Sequence, residues 1–166
     1  MLQRCPIIFI LLCAMLLTAC QSAPAKKEPS FPTSERLDVV KGKRLASVSN
    51  EMRTKQAQIG QPAFIRIFKE ERVLETWIKD SESEKYALYK QYPICKFSGD
   101  LGPKLAEGDG QAPEGFYEVG MDQLNPWSKY HLSFNLGYPN EYDRARMRTG
   151  SNLMVHGGCE SIGCYA

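Results

Sequence analysis

His156 and Cys164 are the residues of this chain best suited to chemistry. They stand eight positions apart in "VHGGCESIGCYA", Val155 to Ala166, and His156 is one of only two histidines. A thiol becomes a good nucleophile when a base takes its proton and a positive or hydrogen-bonding surround steadies the thiolate. An imidazole can be that base. Gly157, Gly158 and Gly163 would let backbone N–H groups approach a reacting carbonyl, as an oxyanion hole requires. The same residue types leave other roles open. His156, Cys159 and Cys164 form an H-x2-C-x4-C set that could hold zinc if Cys95 folded in as a fourth ligand. Disulfide bonding or plain packing would also account for them.

The elements that position these residues follow from the rest of the chain. At 166 residues, the length suits one domain with something appended. A formal net charge of +2 is too mild for a nucleic-acid footprint, and a 43% hydrophobic content can fill a core. At the N-terminus, Arg4 precedes an apolar run from Pro6 to Leu17. That run is shorter than the ~20 residues needed to span a bilayer, so it fits a signal segment. Residues 1–20 therefore read as a signal peptide and 21–59 as a tether followed by a helical segment. Ser34 is the predicted N-cap, and Leu37, Val40, Leu45, Val48 and Met52 fall on one stripe. Gly42 weakens that helix, and Lys41, Lys43 and Arg44 sit on its solvent side.

From residue 60 to 166 the period changes to that of a mainly β (α+β) domain. "AFIRIF", "VLETWIK" and "YALYKQYPICKF" read as three strands, with Lys79 to Lys85 as a turn. A glycine-rich loop, Ser98 to Gly115, reads as mobile. "FYEV", "YHLSFNL" and "NLMVHG" read as further strands, and "NEYDRARMRTG" as a short helix capped by Asn140.

Two motifs together carry a family resemblance. "HGGCESIGC" with the upstream "GDGQAPEGFYEV" resembles the L,D-transpeptidase catalytic domain (YkuD type), in particular its YafK-like branch. His156 and Gly157 match an H-G pair, Ser161 to Cys164 match S-x-G-C, and Ala112 to Tyr117 match the T-P-x-G-x-(Y/F) turn. "FNLGYPNEYDRA" is similar as well, so the resemblance runs from about residue 60 to the end. It implies a β-rich fold and acyl transfer on peptidoglycan stem peptides through a Cys164 thioester. His156 would be general base and then acid, with Ser161, Gly163 and Gly157 orienting or stabilising around the site. It calls for no metal or organic cofactor.

The wider family commonly has His where this chain has Ile162, and the YafK-like branch shares the change. That branch implies an alternative acceptor, water, in a hydrolase that releases murein-linked lipoprotein from diaminopimelate. Ile162 itself could as easily be packing. Family members continue beyond the nucleophile, and no turn or capping residue follows Cys164. The chain therefore reads as a catalytic domain incomplete at its C-terminus, with Cys164 poorly held, and an inactive murein-binding protein is a further alternative.

Leu17-Thr18-Ala19-Cys20 resembles a lipobox, which implies lipidation of Cys20, export to the periplasm and, with Gln21 next, outer-membrane anchoring. Membrane contact would then run only through Cys20. Arg144 could pair with a substrate carboxylate, and Tyr142 could line the cleft beside it, though a solvated loop face is the plainer reading. His131 reads as a strand surface histidine. With Cys164 needed free, a Cys95–Cys159 bridge is the pairing that the exported cysteines leave.

Overall fold

The computed structural model, which describes residues 30–80 and 82–166, has a long helix and two small antiparallel sheets, with the segment that carries Cys164 paired to the second sheet. The signal segment and Cys20 lie outside the described residues. Among those described, no helix is long and apolar enough to cross a membrane.

Helix α1 spans Glu35–Thr54, and Ser34 is its N-cap, accepting the Leu37 N–H at 3.2 Å. This satisfies one of the orphan donors of the first turn, and Glu35 and Asp38 complement the positive end of the helix. Strands β1 (Ala63–Phe68), β2 (Val73–Lys79) and β3 (Tyr86–Pro93) form the first sheet in that order. Asp80 builds the β2–β3 turn by accepting the N–H groups of Glu82 and Ser83, both at 2.7 Å. The Ser83 and Glu82 N–H groups hold the Asp80 carboxyl below its ordinary range, against a smaller effect of burial. The second sheet has β4 (Leu124–Asn125), β5 (Ser133–Asn135) and β6 (Met154–His156), again in order and antiparallel. A short helix, α2 (Glu141–Ala145), precedes β6, with Asn140 as its N-cap.

Two clusters hold the elements together. Met52 and Ala57, with Val48 beside them, pack the end of α1 onto Ile78 and Tyr89 of the first sheet. The larger cluster centres on Ile94, Ala112, Leu136 and Tyr165. It joins Ile67 and Leu74 of the first sheet to Phe134 and Val155 of the second.

Three sequence expectations are corrected here. Phe116–Val119 is not a strand: its segment forms one wall of a cleft of about 850 Å³ facing β1. His131 is not on a strand either, and lies in the turn before β5 with φ 76°. The Ser98–Gly115 loop, read as mobile, is held by buried cations. Lys69 Nζ donates to the carbonyls of Gly102 (2.7 Å), Ala112 (2.8 Å) and Asp100 (3.3 Å) and pairs with Glu114 at 3.0 Å. Lys104 Nζ donates to Ala106 O and pairs with Asp109. Asp109 is partly desolvated, which raises its pKa. The N–H groups of Ala106, Gln111 and Leu105 and the Lys104 ammonium outweigh that, and hold the carboxyl well below the usual range. Glycines punctuate this loop, but charge-assisted bonds to its carbonyls decide its order.

Cys95 and Cys159 are joined by a disulfide across a sequence separation of 64, the pairing expected from the cysteine arithmetic. A bridge closing a loop of that length restricts the unfolded chain by about 4 kcal/mol in the chain-entropy model. Denaturant unfolding of a Cys95→Ser/Cys159→Ser protein should accordingly show a loss of up to about that size relative to the oxidised wild type. Identical midpoints and slopes in the two would remove the bridge from the account of stability.

Candidate active site

The segment expected to be poorly held is among the best paired in the chain. Tyr165 lies between β6 and the Cys95–Phe97 segment, bridging Val155 in parallel and Phe97 antiparallel. Its N–H donates to Met154 O (2.9 Å), and its carbonyl accepts the His156 N–H (3.0 Å). Ala166 donates to Lys96 O at 2.8 Å and accepts the Cys95 N–H at 2.9 Å. The Tyr165 ring is 4% exposed, and its hydroxyl donates to Pro113 O at 2.6 Å. Burial, with Glu114 adding to it, pushes that phenol well above its ordinary range.

This pairing places the two reactive side chains. Successive residues of an extended segment point to opposite faces, and paired residues of parallel segments point the same way. Val155 and Tyr165 point together into the core. His156 follows Val155 and Cys164 precedes Tyr165, so the two reactive residues flank this bridge on either side. The thiol is free and partly exposed. Its sulfur accepts the Met154 N–H at 3.4 Å, and its S–H donates to Asn152 O at 3.8 Å. The Met154 N–H is thus already aimed at the atom that would carry the thiolate charge.

The imidazole of His156 is buried, at 9% exposure, and stacks on Tyr130 with ring centroids 4.6 Å apart and planes 22° from parallel. Its Nδ1 lies 2.7 Å from Gly157 O. A carbonyl only accepts, so Nδ1 carries the proton and a neutral ring keeps its Nε2 lone pair free. Gly157 is required by a close approach, since a Cβ there would stand 2.9 Å from Tyr130 O.

Ser161 closes the turn before Cys164. Its hydroxyl donates to Cys164 O at 2.7 Å, accepts the Cys164 N–H at 3.1 Å and lies 3.0 Å from Ser98 Oγ. Ile162, read as possible packing, is 90% exposed at the tip of that turn and packs nothing. Cys159 is committed to its disulfide, so the H-x2-C-x4-C zinc reading loses a ligand. Among the described residues, no group of three His, Cys, Asp or Glu side chains is placed to hold a metal ion.

Arg144 and Tyr142 are not brought to this group by any contact of their own. Arg144 donates to Pro139 O, and Tyr142 lies under the guanidinium of Arg146, 3.8 Å from its ring centroid. The polar centre of that region is Asp143, 1% exposed, which pairs with Arg148 at 2.8 Å and accepts the Tyr117 hydroxyl at 3.1 Å.

Over 112 residues, 68% of the chain, the sequence is 53% identical to "Putative L,D-transpeptidase YafK" of Escherichia coli (strain K12). This part of the chain is similar to an L,D-transpeptidase. The same identity holds to the protein of that name from Escherichia coli O157:H7, and in both cases the match covers 45% of the relative's length. The chain thus spans about half the length of the curated relatives it matches. Among solved structures, the helical cell shape determining protein Pgp2 (K307A mutant) of Campylobacter jejuni superposes with a TM-score of 0.52 at 25% identity. That superposition covers 63% of this chain and 39% of Pgp2. No protein-family model matches the chain.

Within this family frame, sequence reasoning missed Tyr130 and the Met154 N–H. The first is separated from His156 by 26 positions, and the second is a backbone group, so neither leaves a local signal. Gly163, by contrast, was legible as a small residue, and its geometry explains why. It has φ +85°, and a Cβ there would stand 3.0 Å from Leu153 Cδ2. Gly163→Ala should therefore cost about 1–3 kcal/mol of stability, measured by denaturant unfolding. A variant as stable as the wild type would show that the turn relaxes without strain.

Proposed function

We propose that this protein is an exported, cysteine-dependent enzyme acting on peptidoglycan stem peptides by acyl transfer. The observation that carries the reading is the free Cys164 thiol beneath the Met154 N–H, beside the bridge that joins its segment to the strand of His156. The similarity of the segment to an L,D-transpeptidase supports the substrate class.

In this reading the Cys164 thiolate attacks the carbonyl carbon on the L-centre side of a diaminopimelate bond. His156 accepts the thiol proton at Nε2, while its Nδ1–H stays on Gly157 O. Collapse of the tetrahedral adduct breaks the C–N bond, and the imidazolium returns the proton to the departing amine. A thioester on Cys164 remains. An incoming amine or water, deprotonated by His156, then attacks the thioester carbonyl and restores the thiol. The stack on Tyr130 keeps the ring plane fixed through both steps. Ile162 stands where the wider family commonly has a second imidazole, so no ring at that position assists in activating an acceptor amine. The alternative reading takes water as acceptor and, with it, release of murein-linked lipoprotein.

Digestion of muropeptides followed by mass spectrometry, with and without an added amine, tests the reaction and its acceptor together. Cys164→Ala should abolish turnover, and His156→Ala should reduce both turnover and labelling of Cys164 by an alkylating reagent. Undiminished turnover by Cys164→Ala would end the nucleophile assignment. A product mixture that shifts to the added amine would make the acceptor an amine.

The proposal places the protein in the periplasm, carried there by residues 1–20 and held at the outer membrane through an acylated Cys20. Membrane fractions should retain the wild type, and Cys20→Ser should release it or block its processing. A wild type recovered wholly in the soluble fraction would replace the lipoprotein cut with ordinary secretory cleavage.

A further inference from the structure

We infer that Ser98 is a positioning residue for the Cys164 turn, acting through Ser161. The inference rests on the reading of Cys164 as nucleophile, and its argument is a count of protons. A serine hydroxyl has one proton to give and can accept two hydrogen bonds. Ser161 gives its proton to Cys164 O at 2.7 Å, since a carbonyl cannot donate. It accepts one bond from the Cys164 N–H at 3.1 Å. The 3.0 Å contact between the two hydroxyls must then be donated by Ser98. The order of donation is fixed as Ser98 O–H to Ser161 Oγ, and Ser161 O–H to the Cys164 carbonyl.

Two consequences follow. Ser161 is saturated and has no proton left for a substrate, so its part in the site is to hold Cys164 in place. The Cys164 N–H is likewise spent inward and is not available to an oxyanion. The donor at the head of the chain therefore matters more than its distance in sequence suggests.

Ser98 is built to be rigid. Its carbonyl accepts the N–H of fully buried Ala112 at 2.9 Å, and its neighbour Phe97 pairs with Tyr165. The same short segment carries Cys95, bridged to Cys159 at the other side of the turn. The turn before Cys164 is thus fastened to residues 95–98 twice, once covalently and once by a hydroxyl pair.

The test uses matched substitutions that differ only in the hydroxyl. Ser98→Thr keeps a donor, and Ser98→Val has the same shape without one. Amide hydrogen exchange at Cys164, read by NMR, should quicken about five- to tenfold in Ser98→Val, the size of one neutral hydrogen bond, and stay near wild type in Ser98→Thr. Muropeptide turnover should lose a similar factor in kcat with KM unchanged, and only in Ser98→Val. Ser98→Val combined with Ser161→Ala should be no worse than Ser161→Ala alone. Equal exchange in the Val and Thr proteins, or additive effects in the double variant, would overturn the assignment. The exchange measurement reads the turn whether or not Cys164 is the nucleophile, so failure of the mechanism and failure of this inference are separable.

Discussion

The structure depends on one residue's backbone. Tyr165 exchanges hydrogen bonds with Met154 and His156 on one side, while its neighbour Ala166 does so with Cys95 and Lys96 on the other. Without it, β6 would be an open edge and residues 95–97 an unpaired extended segment, each with buried polar groups to satisfy. With it, the second sheet continues into the segment that leaves the first. The side chain adds the centre of the larger apolar cluster, where Tyr165 meets Ile94, Ala112 and Leu136. Cys164 precedes Tyr165 and His156 follows Val155, so both reactive residues adjoin the Val155–Tyr165 bridge. Fold and candidate chemistry therefore share one pairing, that of β6 with the segment that carries Cys164.

Legibility in the sequence tracked how local each determinant is. The N-cap of α1 and the capped helix α2 rest on contacts within a few residues, and the strands of the first sheet pair with their neighbours along the chain, so pattern alone placed them. Val73–Lys79 was read to its ends. Phe116–Val119 has the composition of a strand but no strand to pair with among the described residues, and pairing decides whether such a run is a strand. The Ser98–Gly115 loop shows the opposite error. Its glycines suggest freedom, while Lys69 reaches from the end of β1 to three of its carbonyls, a contact across more than thirty positions.

At the site, the residue types visible in the sequence were the ones that must be particular side chains or must be absent ones. A thiol, an imidazole and two glycines in tight places left a pattern. The parts supplied by backbone or by distant residues did not: the Met154 N–H, the Tyr130 ring and the Ser98 hydroxyl are silent until the chain is folded. Arg144 and Tyr142 illustrate the converse, since residue types suited to a carboxylate or a cleft wall are engaged instead by α2's own neighbours.

Among the described residues, helix α1 is hydrogen-bonded and packed to the body near its two ends. Ser34 and Arg36 donate to the carbonyls of Pro126, Ser128 and His131 beside the second sheet, while Met52, Glu51 and Lys55 engage β3 of the first. The span between, Lys41 to Ser47, is exposed. At about 1.5 Å per residue, twenty residues make a strut of about 30 Å. A strut fixed at both ends resists any change in the spacing of the two sheets, and its compliance is set by its weakest turn. Gly42 sits in that free span with nothing within 4 Å of where its Cβ would be. It is about 1 kcal/mol poorer than alanine as a helix former. Gly42 is thus the least favourable helical position of the free span, and it lies between the two anchors.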